Sequence, residues 1–181
     1  MLIAAIVHHP VENRYNSSNQ EVIASSQRIL ITNIYCTLST CSADGFPWAS
    51  PVFFAYDDGW NLYWASTTAS KHSQNIYRNS GRVAVAVYNS NTEEGTGSGL
   101  YFYGSAAEVG TENTDWAMHL LFKRAGKNLN RIAQDYLDSS PRRIYRFQPQ
   151  SAWITGDRLP VGNQLIDTKI KVALPQLNQV L

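Results

Sequence analysis

Between Tyr35 and Tyr63 the sequence alternates with a period of two, interrupted by Ala43-Asp44-Gly45 and Asp57-Asp58-Gly59. Successive side chains of an extended chain point to opposite faces, and Asp-Gly pairs supply the backbone conformations of tight turns. The segment predicts three consecutive antiparallel strands joined as a meander: one through Cys36, Leu38 and Cys41, a second from Pro47 to Phe54, and a third from Trp60 to Ala65. Pro47 and Pro51 restrict the second strand, because proline cannot donate to a ladder and is confined to an edge, a bulge or a break in pairing. Such a strand is either an ordinary edge or one whose unpaired backbone groups are offered to a ligand.

The remaining chain supplies three more strands and several helices. An irregular arm runs to about Asn19, and apolar spacing predicts a helix from Glu21 to Ile34 with Ser18 or Asn19 as its cap. Arg82 to Tyr88 has the composition of a buried strand. The segment from Asn89 to Gly99 reads as a flexible hairpin connection, since its GTGSG run precedes a strand and lacks the lysine of a phosphate loop. Leu100 to Val109 is a fifth strand with Gly104 as a bulge or close approach. A helix follows from Thr111 to Lys127, with Trp116, Leu120, Leu121 and Ala125 on one side, then a short helix from Leu129 to Leu137. Arg143 to Phe147 is the sixth strand, continued by Ser151 to Ile154, and its Arg142-Arg143 start reads as a solvated edge. Six short strands without regular βαβ alternation predict a mainly β fold, an antiparallel barrel with helices packed outside. The 181 residues suit a single domain with an N-terminal arm (1–19) and a C-terminal tail (160–181).

Fifteen Lys+Arg against 14 Asp+Glu give no basic field that would attract nucleic acid or an anionic membrane. No run approaches the roughly 20 apolar residues of a membrane span, and the apolar start MLIAAIV lacks the features of a leader. Cys36 and Cys41 fall on one strand about 16 Å apart and on opposite faces, which excludes a disulfide or a shared metal. Together these features predict a cytoplasmic protein. The adjacent His8 and His9 lack partner ligands, so no metal site is expected. Asp57-Asp58 and Glu93-Glu94 fall in turns, and no Ser–His–Asp or Cys–His pattern is present, which disfavours hydrolytic chemistry.

The segment Ser66–Asn79, STTASKHSQNIYRN, follows a strand and opens a helix. Ser70 is a suitable N-cap, placing Lys71 and His72 in the first turn. Cations are unfavourable at that end of the dipole unless an anion sits there with the free N–H groups. Ser66, Thr67, Ser70, Lys71 and His72 thus read as a phosphate cradle. The competing reading is a solvated helix start whose lysine points to water.

The order of these pieces resembles a known family. A strand ending SADG, the FPWASPV strand, NLYWAS, the ASKHSQNIYRN helix, RVAVAV and GLYFYGSAAEV look like the FMN-binding split barrels related to pyridoxamine 5′-phosphate oxidase. The resemblance covers Glu21 to Val109 and, more loosely, Tyr145 to Trp153. It implies a six-stranded Greek-key split barrel in which Ser50, Pro51, Val52 and Phe53 lie against the flavin, while Ser66, Thr67, Ser70, Lys71 and His72 hold its phosphate. It also implies a homodimer with a flavin site between the subunits, the segment around Trp153 reaching the neighbour's flavin, and a small-molecule substrate. Exposed aromatics, for which Trp48, Trp60, Tyr101 and Tyr103 are proposed, would mark that interface.

Several positions depart from the oxidase pattern. Ser50 stands where the strand's arginine is expected, Ala55 replaces a lysine, and a glutamine position falls near Gly99. Arg158-Leu159-Pro160-Val161-Gly162 stands where the oxidases carry Arg-Leu-His-Asp-Arg. The implied function is therefore an FMN-dependent oxidoreductase on a substrate other than vitamin B6. The alternatives are a flavin- or haem-binding carrier or sensor, with His8, His9, His72 and His119 as the available axial ligands, and a deazaflavin-dependent reductase.

Overall fold

The computed structural model describes residues 20–175. The arm cap at Ser18 or Asn19 and the His8-His9 pair lie outside them. In chain order the elements are α1 (Gln20–Thr32), β1 (Tyr35–Cys41), β2 (Pro47–Phe53), β3 (Ala55–Tyr56), β4 (Leu62–Thr67), α2 (Lys71–Arg78), β5 (Arg82–Tyr88), β6 (Gly99–Glu108), α3 (Thr111–Ala125), β7 (Arg142–Thr155), β8 (Leu159–Val161), β9 (Gln164–Ile166) and β10 (Lys169–Val172). One antiparallel sheet runs β2-β1-β5-β6-β7-β4-β3, with β10 also on β7, while β8 and β9 form a separate hairpin.

The sheet curls around an apolar interior. Leu38, Val85, Val87, Phe102, Phe147, Leu62 and Trp64 are almost wholly buried there, and burial on this scale supplies about 1.5–3 kcal/mol for each large side chain. A second cluster, including Ala55, Tyr63, Met118, Leu121 and Ile144, seals α3 to the outside of β3, β4 and β7. Gly104 is the bulge expected of it. The β6–β7 register shifts between Tyr103 and Gly104, and a Cβ there would stand 2.1 Å from the Gln148 carbonyl oxygen.

Several expectations are corrected. The three strands form no meander: β1 pairs β2, but β4 pairs β7 on the far side of the sheet, leaving β2 as an edge. The Asp57 carboxylate holds the hairpin turn between β3 and β4, accepting from the Gly59 and Asn61 backbone N–H groups, the Asn61 amide and the Tyr63 hydroxyl at 2.8–3.0 Å. Trp60 closes that turn with φ 61° and is buried, edge-on to Phe102, so it is no surface aromatic. β5 alternates, burying Val83, Val85 and Val87 while Arg82, Ala84 and Tyr88 remain exposed, because the core covers only one face of the sheet. In α3 the buried residues are Thr114, Ala117, Met118 and Leu121, and Trp116 is half exposed. The short helix before Pro141 reduces to a 3-10 turn, Ala133–Tyr136. The sixth strand is one continuous run of 14 residues, and the tail contributes β8, β9 and β10. Arg143 is no solvated edge: it pairs with Glu108 and donates to the Asp138, Ser140 and Arg142 carbonyls. Among the described residues, no helix is long and apolar enough to cross a membrane.

Candidate functional site

β4 leaves the sheet at Ser66 and Thr67, and a tight turn starts α2 immediately. The Thr68 N–H donates to the Pro141 carbonyl and the Ser70 N–H to the Thr67 carbonyl, while the Gln74 amide holds the Thr68 carbonyl at 2.7 Å. Ser70 is the N-cap, extended at φ −65° and ψ 150°, and its hydroxyl accepts the Ser73 N–H. Asn75 donates to the Thr40 hydroxyl at 2.9 Å and Asn79 to the Cys41 carbonyl at 3.2 Å, anchoring the helix across β1.

Three hydroxyls, two from this turn and one from β2, meet one imidazole. His72 is buried, with Nε2 2.9 Å from the Ser66 hydroxyl and 3.1 Å from that of Ser70, and Nδ1 3.2 Å from that of Ser50 on β2. Ser66 donates to Ser70 at 3.2 Å, Ser70 to Ser73 at 2.8 Å, and the Trp48 indole N–H to Ser50 at 3.0 Å. Burial holds the His72 pKa below its ordinary value, so the ring is neutral near pH 7. Lys71, the adjacent cation, is exposed and belongs to none of the ion pairs among the described residues. Asp44, on the β1–β2 turn, is held ionised chiefly by the Ser42 hydroxyl, with a smaller contribution from Lys71.

The sequence-predicted residues divide accordingly. Ser50, Ser66, Ser70 and His72 meet, Lys71 stands beside them, and Thr67 lies on the exposed rim. Of the predicted flavin strip, Ser50 and Val52 face inward, Val52 within the core, whereas Pro51 and Phe53 lie on the other face, Phe53 edge-on to Tyr35. Trp153 is separated from the strip. Pro51, Thr37, Ala86, Tyr101 and Trp153 occupy one row of register across five strands, and four strand spacings make about 19 Å along the sheet. Trp153 packs on Tyr103 with ring centroids 5.4 Å apart.

Sequence reasoning missed the opposite end of α2. The Tyr77 hydroxyl lies 2.5 Å from that of Tyr145 and donates to Glu108 at 2.6 Å, and Glu108 pairs with Arg143 at 3.2 Å. Tyr145 also bonds the Ser73 hydroxyl and stacks on Trp64 at 5.6 Å, so the two ends of the helix are linked through β7. A groove of about 790 Å³ opens beside Tyr77, Glu108, Trp116 and Arg146, and no cradle residue lines it. Nothing local in the sequence pairs Tyr77 with partners 31 and 68 residues away.

The donor set matches a phosphate group: hydroxyls, a lysine and the N–H groups of a helix start, with no carboxylate among them. Comparison with known proteins agrees in fold. The model of the family described as Pyridoxamine 5'-phosphate oxidase matches residues 25–156. Among solved structures, the chain is similar to the protein Atu2129 from Agrobacterium tumefaciens, of unknown function, at 19% identity and TM-score 0.65, covering 81% of this chain and 61% of that one. It is also similar to a haem binding protein from Mycobacterium smegmatis (18%, TM-score 0.59, covering 79% and 55%) and to an F420 reductase (24%, TM-score 0.53, covering 70% and 94%). The chain thus spans 61% and 55% of the first two proteins' lengths. No curated protein matches the chain.

Proposed function

The chain belongs to the pyridoxamine 5′-phosphate oxidase family, and from that premise we propose that it is an FMN-binding flavoprotein, an oxidoreductase acting on a small molecule. One observation carries the reading: the carboxylate-free cluster of Ser50, Ser66, Ser70, His72 and Lys71 at the head of α2, directly beside the edge strand β2. The hydroxyls, the Lys71 ammonium and the first-turn N–H groups hold the phosphate. The unpaired edge of β2 offers backbone groups to the flavin ring beyond it. When bound, the flavin supplies hydride or electron transfer, and the protein supplies orientation and hydrogen bonds.

A second copy of the chain completes the site in this reading. The outer face of the sheet is small on one side, at Thr37, Ser39, Ala84 and Ala86, and aromatic on the other, at Tyr101, Tyr103 and Trp153. Under two-fold symmetry an aromatic half packs on the small half of its partner. That arrangement brings Trp153 of one subunit toward the β2 edge of the other, a distance it does not span within one chain. The expected interface exceeds about 2,000 Å².

Substrate chemistry differs from that of the vitamin B6 oxidases. Pro160 and Val161 occupy the positions of the motif's histidine and aspartate and lie in the β8–β9 hairpin, where Arg158 is paired with Asp167 at 2.9 Å. Negligible turnover of pyridoxamine or pyridoxine 5′-phosphate is expected. The absorbance spectrum of the purified protein separates flavin from deazaflavin and haem, and titration with FMN and riboflavin tests the phosphate contacts. Equal affinities for the two would remove the basis of the cradle. Reduction by NADH or NADPH with turnover of an acceptor separates an enzyme from a carrier.

A further inference from the structure

We propose that His72 takes up a proton when a phosphate monoester enters the cradle, and that this proton turns the Ser50 hydroxyl away from the ring as a free donor. The inference rests on the FMN reading and adds a proton to it. A neutral imidazole has one N–H and one acceptor nitrogen, whereas an imidazolium donates from both. Both ring nitrogens of His72 are within hydrogen-bond distance of hydroxyls, Nδ1 of Ser50 and Nε2 of Ser66 and Ser70. While the ring is neutral, one of these serines must spend its proton on it.

The network identifies that serine. An indole N–H only donates, so the Ser50 oxygen already accepts from Trp48. Ser66 donates to Ser70 and Ser70 to Ser73, so both accept from Nε2–H, and the Ser50 proton is directed to Nδ1. Protonation at Nδ1 makes Ser50 a double acceptor, and its O–H must turn elsewhere. The proton comes from a hydronium ion or a buffer acid, whose bond to hydrogen breaks as the Nδ1–H bond forms, and no other covalent bond changes.

Position explains why the ligand drives the change. The groups facing His72 are hydroxyls from β2 and β4, with the Trp48 indole bonded to Ser50 and with Lys71 and Ser73 on its own helix; Asp44 on the β1–β2 turn is the acidic group near Lys71. Among the described residues no carboxylate forms an ion pair with His72. Burial keeps the empty site neutral, and a bound dianion supplies the missing counter-charge. A phosphodiester, with one charge fewer, supplies less, so the device favours a terminal phosphate.

Calorimetric titration of the apoprotein with FMN at pH 7.5, in buffers of different ionisation enthalpy, measures the proton directly. Uptake approaching one proton per FMN is expected, with none for riboflavin, and the FMN association constant should fall by up to tenfold per pH unit above neutrality. In His72→Gln FMN should bind more weakly and at saturating FMN the uptake should vanish, and the wild-type measurement stands if that variant does not fold or does not bind. FMN binding without proton uptake overturns the proposal and leaves the FMN reading intact. Undiminished uptake in His72→Gln assigns the proton to another group and also overturns it. Failure of FMN to bind the wild type overturns both.

Discussion

The two ends of α2 are only two helical turns apart, yet they are built from opposite chemistry. At the C-terminal end every strong group has a matched partner: Tyr77 and Tyr145 share a short hydrogen bond, Tyr77 donates to Glu108, and Arg143 closes the circuit while bonding three carbonyls. At the N-terminal end Lys71 lacks an ion pair among the described residues, and hydroxyls satisfy one another around a neutral ring. A network that closes on itself holds the fold together. An open one of a single sign has its energy still to gain from a ligand.

The largest effect expected from this contrast is on affinity. The double variant Ser70→Ala, Lys71→Ala removes two charge-assisted contacts of about 1.5–3 kcal/mol each, a loss of about 10²- to 10⁴-fold in FMN binding. Riboflavin binding should barely change, and stability should fall by only about 1 kcal/mol for the lost cap. Fluorescence titration and urea unfolding measure the two quantities. An unchanged FMN affinity would make the cradle a plain helix start.

At the closed end the balance reverses. Tyr145→Phe removes a buried hydroxyl that joins Ser73 to Tyr77, and the expected cost is about 1–3 kcal/mol in unfolding free energy. FMN affinity should remain within about threefold, below the 1.4 kcal/mol of a tenfold change. A larger loss of binding would mean that the Ser73–Tyr145 link transmits strain between the ends and that they act as one network.

This division also explains what the sequence could and could not disclose. The Ser66, Ser70 and His72 cluster proposed as the cradle was legible because its parts are local: they fall within seven residues, and a cap followed by cations carries a recognisable electrostatic anomaly. Ser50 joined them only through the resemblance. Its place among them follows from β2 being an edge and from the β1–α2 anchor Thr40–Asn75, which spans 35 residues. The Tyr77 circuit was illegible, since Glu108 and Tyr145 reach it from β6 and β7. The predicted meander failed for a related reason. Alternation reports which residues form strands but not which strands pair: the Asp57 turn is a hairpin, but it joins β4 to the two-residue β3 rather than to β2, and the other edge of β4 pairs β7.

A smaller contrast separates Arg143 from Lys71. Arg143→Ala should lower stability by about 1 kcal/mol, since the Glu108 pair is partly exposed, or about 2–4 °C in thermal midpoint. Lys71→Ala should stay within about 0.5 kcal/mol of wild type. Calorimetry on the two apoproteins checks the order, and a Lys71 variant as destabilised as the Arg143 variant would blur the division between a binding end and a structural end.

The smallest effect sharpens the comparison through pH. Burial is the leading cause of the raised pKa values of Tyr63, Tyr77 and Tyr145, and equally of the lowered value of His72. The signs then place the two ends on opposite limbs. A tyrosine whose folded pKa is raised contributes stability below its unfolded value of about 10, and that contribution is lost as pH rises beyond it. A histidine whose folded pKa is lowered contributes stability above about 6.5, lost as pH falls. Ligand-free protein should therefore be most stable between about pH 7 and 9.5, with the tyrosine end limiting the alkaline side and the cradle the acid side. Tyr77→Phe should make the alkaline loss shallower and leave the acid limb unchanged, modestly, because Tyr77 is nearly half exposed. His72→Gln should do the reverse. Urea midpoints at pH 5.5, 7.5 and 10.5 in phosphate-free buffer resolve the two limbs. If Tyr77→Phe moved the acid limb, protons at the two ends of α2 would be coupled through Tyr145, and the helix would carry one network rather than two.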